Sequence, residues 1–98
     1  MNVLAFAQDN QREFMQGVDR GLAIAAKDRG LEYRLAIANN DAAKQVEQLR
    51  LFLTSKVGGV VAAPVDAASL SRGLQEIIWA GGYVGTVVPP PATSVPIA

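Results

Sequence analysis

The sequence predicts a three-layer α/β unit, an open and doubly wound parallel sheet of about four strands with three helices shared between its faces. Three observations carry that expectation. Short apolar runs of strand length alternate with longer segments whose apolar residues recur at helical spacing. Acids and amides stand where helices begin, and glycines stand where helices end. Strand, helix, strand alternation of this kind yields parallel strands joined by right-handed crossovers.

Residues 3 to 7, VLAFA, form the first apolar run. Polar QDNQRE then leads to Phe14, Val18, Leu22, Ala25 and Ala26, a spacing that predicts one apolar helical face over residues 12 to 29, closed by Gly30. Residues 32 to 38, EYRLAIA, alternate Tyr33, Leu35 and Ile37 with Arg34, Ala36 and Ala38, which suits a strand at the edge of the sheet. After Asn39 and Asn40, Asp41 is placed to cap a second helix bearing Val46, Leu49 and Leu53, with Ala42 and Phe52 beside them. VGGVVAA, residues 57 to 63, reads as a central strand covered on both faces and stopped by Pro64. Asp66 repeats the cap for a third helix with Leu70, Leu74, Ile77 and Ile78, ended by Gly81 and Gly82. YVGTVV, residues 83 to 88, supplies a fourth strand. In the proline-rich tail, SVPIA offers a fifth strand at an edge only.

Ninety-eight residues suit one compact unit with one core. Half of them are apolar and 18% are charged, enough core material for a folded domain. Nine basic residues offset nine acidic ones with no long run of either sign, which points away from nucleic acid and from anionic membranes. The chain has no cysteine and no histidine, so Ser-His-Asp and Cys-His chemistry and ordinary zinc sites are excluded, and an enzyme is not expected. MNVLAFAQDN lacks a basic segment and a long apolar run, so it reads as a strand and not as an export signal. No stretch approaches the roughly 18 apolar residues of a membrane span, and direct membrane insertion is not expected.

In a doubly wound sheet the ligand crevice lies at the carboxyl ends of the strands, here the loops QDNQRE, NND, PVD and VVPPP. The first of these has no glycine, so GxGxxG is missing; GGYVG leads into a strand, and no GxxxxGK[ST] occurs. No nucleotide cofactor is expected. Asp9, Asn10, Arg12 and Asp66 bring hydrogen-bonding groups to that edge. Asp9, Asp41 and Asp66 together admit a Mg²⁺ site, although helix capping accounts for Asp41 and Asp66, and no metal is expected. Phe14 with Met15 either offers a platform for the apolar face of a sugar or begins the buried stripe of the first helix. Trp79 and Tyr83, at the opposite end, read as packing residues.

The order FMQGVDRGLAIAAKDRGLEY, then NNDAAKQVEQLRLFLTSKVGGVVAAPVDAASL, then IIWAGGYVGTVV resembles the amino-terminal lobe of the type 1 periplasmic sugar-binding proteins of ABC transporters. The effector domains of LacI-type regulators share that flavodoxin-like lobe. The resemblance implies two lobes clamping a small polar molecule, of which residues 1 to 98 form the first; the second lobe is missing from this sequence. It implies a sugar or sugar-like ligand, an importer's membrane subunits as partners and a periplasmic location. Where the ribose-binding branch has an amide and two aromatics, this chain has Arg12, Phe14 and Met15; Ala63 replaces an asparagine, and Val88 and Pro89 replace an Asp-Arg pair. Ribose-like binding of a pentose is therefore not expected, whereas Arg12 either suits an anionic or more oxygen-rich ligand or is an ordinary exposed arginine at a helix start. Two other readings stay open: the sensing lobe of a LacI-type regulator, and a small flavodoxin-like enzyme or phospho-acceptor using Asp9 and Asp66. An uncovered sheet edge and apolar residues such as Val87 and Val88 further predict homo-oligomers.

Overall fold

A computed structural model describes residues 2–87 of the chain. The first strand, β1 (Val3–Gln8), is followed by α1 (Glu13–Asp28), β2 (Glu32–Ile37), α2 (Ala42–Thr54), β3 (Gly59–Ala62), α3 (Ala67–Trp79) and β4 (Tyr83–Thr86). All pairings are parallel, in the order β2-β1-β3-β4. The expected α/β alternation is therefore present, with β2 at an edge. The suggested fifth strand, SVPIA, and the residues Val88 and Pro89 lie outside the described residues.

The two central strands, β1 and β3, divide their side chains between two cores. Ala5 and Ala7 of β1 and Val60 and Ala62 of β3 face α2 and α3, where Leu49, Phe52, Leu70 and Ile77 are buried. Phe6 points the other way, into a smaller cluster with Met15 and Ala63, backed by Val18, Leu22 and Tyr33. Alternation along a strand requires this division, and it places helices on both faces. α1 lies over β1 and β2, and the Tyr33 phenol hydroxyl of β2 donates to Asp19 Oδ1 of α1 at 2.6 Å, tying the edge strand to that helix. Burial first, and then the Asp19 carboxylate, push the Tyr33 phenol well above its usual pKa.

Three sequence expectations need correction. The buried stripe of α1 starts at Met15, fully buried, and continues through Val18, Leu22 and Ala26, while Phe14 is 44% exposed. Consecutive helical residues lie about 100° apart, so only one of the pair can head the stripe. Trp79 and Tyr83 are not packing residues, being 74% and 71% exposed. Trp79 falls off the α3 stripe set by Leu70, Leu74 and Ile77, and Tyr83 shares the face of Val61 on the β3–β4 half of the sheet, away from the strands that α1 covers. Ile78 likewise leaves the predicted α3 face and is exposed.

Glycine ends α1, with Gly30 at φ 69°, a left-handed conformation that only glycine adopts without cost. Close approach explains Gly73: a Cβ there would stand 2.6 Å from Leu49 Cδ2, so α2 and α3 pack against each other at a glycine.

Candidate functional site

The chain leaves β1 toward β2 on one side and later returns to β3 on the other side of β1. Loops after β1 and β3 consequently diverge toward opposite faces at the carboxyl end of the sheet, the switch point at which open α/β sheets bind their ligands. Asp9, Asn10 and Arg12 occupy the first of these loops and Asp66 the second.

Asp9 is 4% exposed and both of its oxygens are engaged. Oδ1 accepts the Asn10 backbone N–H at 2.7 Å, and Oδ2 lies 2.6 Å from Arg12 Nη2 in an ion pair. Asn10 Oδ1 in turn accepts the Arg12 backbone N–H at 3.0 Å. This Asx-type turn brings the chain into α1 with Arg12 at the N-cap position. Gln8, buried beneath the loop, donates from Nε2 to the Asn10 carbonyl.

The β2–α2 loop is clasped to this one. Asn39 and Asn40 both take left-handed conformations, φ 52° and 64°, as asparagine does more readily than most residues. Asn40 Oδ1 accepts from Asn10 Nδ2 at 3.1 Å, and Asn39 Oδ1 accepts from Gln11 Nε2 at 3.0 Å. A main-chain bond from Asn40 N to Asp9 O at 2.8 Å completes the join. Asp41 then caps α2 by accepting from Lys44 N at 3.1 Å. The two asparagines thus make the turn and also hold the first loop.

Two glutamines of α2 anchor the strand ends. Gln45, 1% exposed, donates from Nε2 to Ala63 O at 3.0 Å and accepts at Oε1 from Val65 N at 2.8 Å. Gln48 donates to Ile37 O at 3.0 Å. Sequence reasoning passed over both. Gln45 stands four residues before Leu49 and seven before Phe52, so helical spacing places it on the buried face.

The predicted site residues are divided by the fold. Asp9, Asn10 and Arg12 form one bonded group. Phe14 follows it, exposed, on the first turn of α1, whereas Met15 faces inward against Phe6 and Ala63. Asp66 is exposed at the N-cap of α3, where its carboxylate accepts from Ser69 Oγ and not, as Asp41 does, from a backbone amide. That hydroxyl is the main cause of a lowered Asp66 pKa. Asp9, Asp41 and Asp66 therefore each hold a partner of their own, and the described residues contain no group of three side chains poised for a metal. Nor is any described helix long and apolar enough to cross a membrane.

Comparison with known proteins agrees with this architecture. No curated protein matches the chain. Among solved structures, an ABC transporter solute-binding protein from Mycobacterium smegmatis with bound glycerol is 27% identical, with a TM-score of 0.80 over 94% of this chain. Another, from Bacillus halodurans C-125 with bound myo-inositol, is 25% identical, with a TM-score of 0.73 over 87% of this chain. A third, from Clostridium phytofermentans with bound β-D-glucose, shares the fold at 23% identity and a TM-score of 0.78, over 85% of this chain. The matches cover 32%, 30% and 26% of those proteins, so this chain spans about a third of their length or less. The model of the periplasmic binding protein domain matches residues 3–96, and the chain belongs to that family.

Proposed function

We propose that this chain is the amino-terminal, ligand-binding lobe of a solute-binding protein that captures a sugar or related polyol and presents it to the membrane subunits of an ABC importer. The bonded group of Asp9, Asn10 and Arg12 at the switch point of the sheet carries the reading. It brings hydrogen-bonding groups to the carboxyl edge of the sheet, and the exposed Phe14 follows two residues later in the first turn of α1. Polar groups that fix orientation next to an apolar wall are what a hydroxyl-rich, partly apolar sugar face requires. The ligands named for similar structures, glycerol and myo-inositol, are of this chemical kind.

Function on this reading is capture without chemical change, in the periplasm. A second α/β lobe supplies the opposite wall, and closure of the two buries the ligand and stabilises the closed form through contacts made only there. A single lobe pays the ordering cost of binding with half of the contacts. The test is to express the gene together with its flanking sequence and to measure sugar binding by calorimetry. The two-lobe product should bind in the micromolar range and the 98-residue chain far more weakly. Micromolar binding by the 98-residue chain alone would refute the clamp, and a helix-turn-helix encoded upstream would make the lobe a regulator's sensor instead.

A further inference from the structure

We infer that Asp9 sets the charge selectivity of this lobe, admitting uncharged polyhydroxyl ligands and turning away anionic ones, an inference that rests on the binding reading above. An arginine at the head of α1 would by itself attract a carboxylate or phosphate, which the guanidinium fork can hold through two parallel bonds. Arg12 is not such an arginine. Its Nη2 lies 2.6 Å from Asp9 Oδ2, and the Asp9 side chain is only 6% exposed.

The counter-charge is fixed in place. Asp9 Oδ1 accepts the Asn10 amide at 2.7 Å, so the carboxylate is held through both of its oxygens. As a unit the pair is neutral. Arg12 nevertheless keeps 44% of its side chain exposed, and of its five N–H groups only Nη2 meets a protein acceptor among the described residues. What remains for a ligand is a set of directional donors without net positive charge. Sugar hydroxyls accept from such donors at no electrostatic cost.

An anion gains the same hydrogen bonds but meets the buried carboxylate behind them. The neighbouring elements add to this bias: Glu13 begins α1, Asp41 caps α2, Asp66 stands exposed at the start of α3, and Lys44 is the one cation in the first turns of these helices. Like charge held against an unwanted ligand is an effective source of discrimination.

D-Glucose, D-glucuronate and D-glucosamine offer one ring as neutral, anionic and cationic probes. Titration into ¹⁵N-labelled protein, followed through the amide shifts of residues 9 to 14, reads weak binding directly. Glucose should bind at least about tenfold more tightly than glucuronate. Asp9→Asn, close in shape, should abolish or reverse that preference. Equal binding of the two by the unaltered protein, or an unchanged preference in Asp9→Asn, overturns the inference. So does tighter binding of glucosamine than of glucose, because the acidic rim and not the neutral pair would then govern. If Asp9→Asn does not fold, Arg12→Gln should weaken glucose about tenfold and leave glucuronate excluded, and a gain of glucuronate binding refutes the inference. Absence of shifts with all three probes in the two-lobe product overturns the binding reading itself, and the selectivity falls with it.

Discussion

Gln45 binds the loop after β3 to the end of the strand that precedes it, donating to Ala63 O and accepting from Val65 N. Replacing it by leucine, similar in size, leaves a carbonyl and an amide unpaired in a buried place. Each such group costs about 1–3 kcal/mol. Gln45→Leu should therefore lower unfolding stability by about 2–4 kcal/mol in a urea titration. A loss under about 1 kcal/mol would mean that water reaches both groups. The residue was recognisable as buried from its spacing to Leu49 and Phe52, but its partners were not, because they lie 18 and 20 residues away in the sequence. Arg12 illustrates the same limit. Its position at the loop was legible, and its suitability for an anion followed from its charge alone; the structure supplies Asp9 as its partner and changes what that charge can do.

At the scale of elements, helices and strands were legible because their periods differ. Strict alternation marks β2, recurring apolar residues mark the helices, and a run without alternation marks β3. What remained hidden was rotation about an axis. Phe14 and Met15 are adjacent apolar residues, and the choice between them depends on where α1 lies against Phe6 and Ala63. Contact between helices was hidden too, since nothing local distinguishes Gly73 from a weak helical residue. Its role predicts an inversion of the usual rule. Gly→Ala within a helix ordinarily stabilises by about 1 kcal/mol. Here the added methyl would stand 2.6 Å from Leu49 Cδ2, and Leu49 is itself buried. Gly73→Ala should therefore destabilise, by about 1–2 kcal/mol net of propensity, measured by thermal unfolding. A rise in Tm would show that Leu49 turns aside freely.

At the scale of the whole molecule, the two faces and the two edges of the sheet are unequal among the described residues. The β2 edge carries Glu32 and Arg34 in an ion pair, a guard against pairing with another chain. β4, from Tyr83 to Thr86, has no charged residue, and its own Tyr83 is exposed. Uncharged edges next to apolar surface invite association. Light scattering at high concentration should give a mean mass above that of the monomer, and Tyr83→Lys should return it to the monomer. A monomer throughout would refute this use of the β4 side. The sheet order has a consequence for biosynthesis as well. β1 pairs with β2 on one side, Val3 opposite Glu32, but its other side waits for β3, Leu4 opposite Gly59. As the chain emerges from a ribosome, this central strand is half-paired until β3 has been made. Through that interval the growing polypeptide presents an unprotected apolar ribbon, and holding it open for β3 is a task suited to a chaperone.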